Sequence, residues 1–124
     1  MKSGTGTKAS RAVGRHYEEM AAKYLEKAGY HILERNFQCR QGEIDIIAQN
    51  EGYLCFVEVK YRKSETYGGA LGAVSYKKQE KISRAALYYL TVHGYGEACP
   101  CRFDVLAITQ EQMTLIKNAF EYRG

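Results

Sequence analysis

The sequence predicts an α/β sandwich, with elements in the order α-β-β-β-α-β-β. Two observations predict it. Two stretches repeat apolar residues at the three-and-four spacing of a helix face. Between and after them lie short runs rich in Ile, Val, Phe and Tyr, separated by Gly- and Asn-containing turns. A chain of 124 residues with 45% hydrophobic content suffices for one domain and one core.

The first helix is expected over Arg11 to Ala28, where Tyr17, Met20, Ala21, Tyr24, Leu25 and Ala28 form one stripe and Gly29 caps the end. On that helix Glu19 points to solvent, and Glu18 lies at the stripe edge near Leu25, able to face a cleft. Residues 1–10, MKSGTGTKAS, read as a disordered, slightly basic tail, leaving 11–124 as the folded domain. Tyr30 to Phe37 is a first strand, Glu43 to Gln49 a second and Tyr53 to Tyr61 a third, with Asn50-Glu51-Gly52 as a tight turn. Lys63 to Val74, with Gly68, Gly69 and Gly72, reads as a mobile loop. Ser75 caps a second helix reaching His93, with a stripe of Ile82, Ala85, Ala86, Tyr89 and Leu90. Arg102 to Thr109 and Met113 to Phe120 are the last two strands, joined by a turn at 110–112.

Composition narrows the function classes. No apolar run approaches the ~18–20 residues of a membrane span, and the N-terminus lacks the apolar core of a secretory signal. A soluble, cytoplasmic protein with no membrane partner is expected. Of four cysteines, Cys55 falls inside a strand, and Cys99-Pro-Cys101 does not have zinc-knuckle spacing. Reduced thiols, with neither disulfides nor structural zinc, are the expectation. The net charge is +4. Residues 1–40 hold eight Lys/Arg against four Asp/Glu, residues 41–75 three against five, and residues 76–93 four against one. Basic flanks around an acidic middle suit a site that draws in a polyanion and holds cations; two solvated helices would show the same balance.

The acidic middle is GEIDIIA, Gly42 to Ala48, followed by FVEVKYR, Phe56 to Arg62. With Glu51-Gly52 as a two-residue turn, Asp45 is expected opposite Glu58 and Glu43 opposite Lys60. One sheet face then carries Glu43, Asp45, Ile47, Leu54, Phe56, Glu58 and Lys60. The other carries Ile44, Ile46, Ala48, Cys55, Val57 and Val59. Opposed carboxylates with Cβ atoms roughly 5 Å apart repel unless a cation sits between them. Two carboxylates with the Val59 carbonyl and water make a hard oxygen site suited to Mg²⁺. Lys60, on the same face as Glu58, can orient an attacking water or offset phosphate charge, and the reaction class would be phosphodiester hydrolysis. The alternative is an exposed Glu43–Lys60 ion pair beside two hydrated carboxylates.

GEIDIIA followed by FVEVKYR resembles the PD-(D/E)XK nuclease superfamily. From about Gly14 onward the chain resembles the YraN family of uncharacterised, predicted endonucleases, which is similar to archaeal Holliday junction resolvases. The matching pieces are Glu18 with Ala21-Ala22 and Tyr24-Leu25, Gly29-Tyr30, Asn36, GEIDIIA, FVEVKYR, Lys78, and RFDV at Arg102 to Val105. Ile44 stands where the superfamily pattern has Pro, and Tyr17 where a Gly is expected. The resemblance implies a restriction-endonuclease-like sandwich, a central mixed sheet of about five strands flanked by helices. It implies a Mg²⁺- or Mn²⁺-dependent nuclease acting on nucleic acid, with DNA in repair or recombination as the expected substrate. Asp45, Glu58 and Lys60 would form its core, and Glu18 and Glu43 would support it. A non-catalytic nucleic-acid-binding module of the same fold is the rival reading, and a homodimer is left open.

Arg40 and Arg62 could contact phosphate, as could Lys77, Lys78 and Lys81 on the second helix. Tyr67, in the Gly-rich stretch, could stack on a base. Each has a plain reading as a solvated side chain. Most of the eleven tyrosines are expected in the core. Arg102 and Asp104, two apart on one strand, are expected as a structural ion pair.

Overall fold

The computed structural model describes residues 4–61, 74–96, 98–109 and 112–123, with side chains from His16 onward. Arg62 and Tyr67 lie outside the described residues, as does the expected loop up to residue 73. Helix α1 spans Gly4–Lys27 and α2 spans Tyr76–Val92. The strands are β1 (His31–Cys39), β2 (Gly42–Asn50), β3 (Tyr53–Tyr61), β4 (Cys101–Ile108) and β5 (Met113–Phe120). The order is the expected one, and the architecture is the restriction-endonuclease-like α/β sandwich. Most boundaries shift by one or two residues, and the largest difference is in α1, which begins at Gly4, so Gly4 to Ser10, expected as tail, continue the helix. No proline interrupts them.

The five strands form one sheet in sequence order. All neighbours are antiparallel except β3 and β4, which run parallel and are joined through α2. Strand alternation divides the core in two. Leu54 and Phe56 point to the face under α2, where they meet Ile82, Ala85, Ala86 and Tyr89. Cys55 and Val57 point to the other face, against Ala21 and Leu25 of α1. The two helices therefore cover opposite faces of one sheet.

Local chemistry explains the punctuation. Tyr30 N–H reaches back to Leu25 O at 2.9 Å across Gly29, whose φ is 96°, the left-handed wrap that ends a helix. Ser75 Oγ accepts from Lys78 N–H at 3.2 Å and starts α2. Glu51 and Gly52 both have positive φ, giving the two-residue hairpin whose twist matches its strands. The tyrosines depart from expectation: Tyr53, Tyr61, Tyr76, Tyr88 and Tyr122 are exposed, at the ends of β3, on the outer face of α2 and near the C-terminus, where a polar hydroxyl stays in water at little cost.

Gly42 opens β2 directly against α2. A Cβ added there would stand 3.2 Å from Lys81 O and 3.3 Å from Lys81 Cβ. Gly42→Ala is expected to push α2 off the sheet and cost about 1–3 kcal/mol, read as a lower midpoint in urea unfolding. An unchanged midpoint would mean that α2 shifts freely at this end.

Candidate active site

The predicted hairpin register holds from Asn50↔Tyr53 to Ile46↔Val57 and ends there. The expected ladder pairs Asp45 with Glu58 and Glu43 with Lys60 do not form. On the other side of β2, regular pairing with β1 passes from Arg35↔Ile46 to Phe37↔Ile44. Asn36, between them, has φ 55°. This kink turns both strands over: Arg35 meets Glu19 of α1 at 3.0 Å, while Phe37 packs under α2. Ile44 also packs under α2, with Phe37 and Ile47, and not on the α1 face predicted for it.

The kink brings the carboxylates together by another route. Asp45 Oδ2 accepts the Val59 N–H at 2.8 Å, standing in for a backbone partner where β2 and β3 part. A strand residue directs its N–H and C=O to the same edge, so the Val59 carbonyl also faces the gap beside Asp45. Glu58 is only 4% exposed and points under α2. Its Oε2 lies 3.7 Å from Lys60 Nζ and 3.8 Å from Lys78 Nζ.

Both carboxyls are pushed above their usual range. Burial is the main cause for Asp45, opposed by the Val59 hydrogen bond and aided by the charge of Glu43. Burial raises Glu58 to about 7, with the Asp45 charge next and the two lysines opposing. When protonated, Glu58 donates to Asp45. Glu58 titrates higher folded than unfolded, so its contribution to stability is complete below about 4.5 and lost as pH rises through about 7. The metal-free protein is expected to lose on the order of 1–3 kcal/mol over that window, and Glu58→Gln to flatten the loss. Equal pH profiles for the two proteins would refute this.

The remaining predicted residues divide. Glu18 accepts from Asn36 Nδ2 at 3.4 Å, which places it beside the kink opposite Asp45. Glu43 is exposed, across from Gln38, and acts on Asp45 through its charge. Arg40, Lys77 and Lys81 are exposed, Arg40 in the β1–β2 turn and both lysines on α2. Lys78 is the residue whose place the sequence reading missed. The sequence places it among residues able to contact phosphate or stay solvated, whereas in the structure it reaches Glu58 at 3.8 Å. The signal was present: Lys78 stands one turn before Ile82 and extends the buried stripe of α2.

Two carboxylates and a strand-edge carbonyl are a donor set that fits a hard cation retaining several waters, as Mg²⁺ does. Among the described residues no group of three or more His, Cys, Asp and Glu is arranged to hold a metal, which does not suit a closed zinc site.

Residues 17–108, which carry Glu18, Asp45, Glu58, Lys60 and Lys78, match the model of the uncharacterised protein family UPF0102. The chain belongs to that family. It is 50% identical over 107 residues to a UPF0102 protein of Lachnoclostridium phytofermentans, covering 86% of this chain and 91% of the relative. A UPF0102 protein of Stutzerimonas stutzeri is 42% identical over 116 residues, covering 90% and 97%. One of Chlorobium chlorochromatii is 50% identical over 101 residues, covering 82% and 77%. The UPF0102 match spans the C-terminal part of α1, all of α2 and β1 to β4. No helix among the described residues is long and apolar enough to cross a membrane.

Proposed function

We propose that the protein is a divalent-metal-dependent nuclease that hydrolyses phosphodiester bonds in nucleic acid, with DNA as the substrate. The observation that carries this reading is the strand parting at Asp45. There two carboxylates, the edge of Val59 and two half-exposed lysines come together around the buried Glu58. A carboxylate pair under desolvation calls for a cation, and a lysine on the same side calls for an anionic substrate.

Asp45, Glu58 and the Val59 carbonyl would hold Mg²⁺ or Mn²⁺. When bound, the ion supplies polarisation of a phosphoryl oxygen and a more acidic water. Lys60 orients the attacking water and offsets charge on the phosphate. Lys78 partly offsets the burial that favours protonated Glu58 and presents a second ammonium to the substrate. Glu43 adds negative potential, and Glu18 braces the kink through Asn36. Arg40, Lys77 and Lys81 lie where they can follow a phosphate backbone.

The test is cleavage of labelled duplex, single strand, flap and four-way junction, each with Mg²⁺, Mn²⁺ or chelator. Identically purified Lys60→Ala protein controls for contaminating nucleases. Metal-dependent cutting by the wild type alone supports the enzyme and identifies its preferred substrate. Salt-sensitive binding equal in wild type and variant, with no cutting, would replace it with a non-catalytic binding module.

A further inference from the structure

A second site lies at the other end of β3. Cys101 is paired with Leu54 at the start of that strand, whereas Lys60 is paired with Ala107 near its end. Here a cavity of about 410 Å³ opens between α2 and the last two strands. Its walls are mostly apolar, with Phe56, Leu90, Phe103 and Phe120 among them, and both Cys99 and Cys101 line it. The thiols are half-buried and free of disulfides.

Their placement is fixed by the backbone. Cys99 N–H closes a turn on Gly96 O at 3.2 Å, and Pro100 O accepts from Leu54 N–H at 2.9 Å. Pro100 also fixes its own φ. Cys101 then enters β4, with its Sγ 3.4 Å from Cys99 O. Both thiols border this one cavity. A cation between the sulfurs needs them only about 4.6 Å apart, two bonds of about 2.3 Å.

Ligand number selects the ion. Among the described residues no third His, Cys, Asp or Glu completes a metal-holding group. The described residues supply too few ligands for tetrahedral zinc, and hard cations do not favour sulfur. We propose that Cys99 and Cys101 form a two-thiolate site for a soft monovalent cation of the Cu(I) class. Each S–H releases its proton to solvent, two sulfur–copper bonds form, and no electron is transferred. The apolar walls limit access of water to the bound ion. This site is independent of the carboxylate site and of the nuclease reading.

The experiment is an anaerobic titration of the reduced full chain with Cu(I) against a chromogenic copper chelator. The wild type is expected to retain one equivalent, with a near-ultraviolet thiolate-to-copper band. Cys99→Ser and Cys101→Ser should each weaken binding by roughly 100-fold or more, beyond what loss of a supporting contact costs. Cys39→Ser and Cys55→Ser should not. Circular dichroism checks that each variant folds. In the wild type, Cu(I) should protect Cys99 and Cys101 from alkylation, read by mass spectrometry. Unprotected thiols, binding no tighter than in the Cys99→Ser/Cys101→Ser double variant, or Zn²⁺ bound equally well would overturn the proposal.

Discussion

An Asp45→Asn protein is expected to keep its fold and lose cleavage by about 1,000-fold or more. The metal's share of transition-state stabilisation is several kcal/mol, and each ~1.4 kcal/mol is tenfold in rate. The amide oxygen of Asn can still accept the Val59 N–H that Asp45 takes at 2.8 Å, so the strand junction survives. The charge does not survive, and with it goes half of the carboxylate pair. Losing that charge also removes a repulsion: burial already disfavours ionised Asp45, and its charge raises Glu58. The metal-free variant should therefore be at least as stable as the wild type near pH 8, while Mg²⁺ no longer raises its melting temperature. Single-turnover cleavage and thermal melts with and without Mg²⁺ read both effects. Retained cleavage would remove Asp45 from the site. Lost cleavage with a collapsed melt would mean that the carboxylate holds the fold.

Asp104→Ala is expected to cost about 3–5 kcal/mol, a large part of the stability of a domain this size. Asp104 is 0% exposed. It accepts from Tyr30 Oη at 2.6 Å, from Arg102 Nε at 3.0 Å and from the Asn118 N–H at 2.9 Å. Burial and the Asp104 contact both hold the Tyr30 hydroxyl protonated, as a donor. Arg102, itself 6% exposed, also donates to Asn50 Oδ1 at 2.6 Å, to Glu51 at 3.1 Å and to Tyr30 Oη at 3.1 Å. Truncating Asp104 leaves a guanidinium buried without its main counter-charge, and this dominates the cost. Asp104→Asn keeps the shape and should cost less. Replacing Arg102 and Asp104 together with Leu should recover much of the loss, because no charge is then stranded. Urea unfolding of the single and double variants decides this; a single-variant cost under about 1 kcal/mol would show the network to be well hydrated.

The helix stripes, the Glu51-Gly52 turn and the Arg102–Asp104 pair were legible because each depends on residues close in sequence. A stripe at 3.6-residue spacing, a turn requiring positive φ and two side chains alternating along one strand need no knowledge of what packs against them. The same locality makes the hairpin register readable from Asn50↔Tyr53 to Ile46↔Val57. Extrapolating it further failed. The kink at Asn36 belongs to β1, and it acts on β2 only once the strands are paired.

Residue types and their period determined by themselves that Asp45, Glu58 and Lys60 would gather near one end of a hairpin in an α/β sandwich. The tertiary structure decided how they gather. It ended the ladder at Ile46, gave the Val59 N–H to Asp45, turned Ile44 under α2 and set Lys78 of a distant helix on Glu58. A pattern records which way side chains point along a regular strand. Where the strands part and a helix packs over the opening, the buried carboxylates take whatever partners the assembled fold supplies, since leaving them without any is too costly.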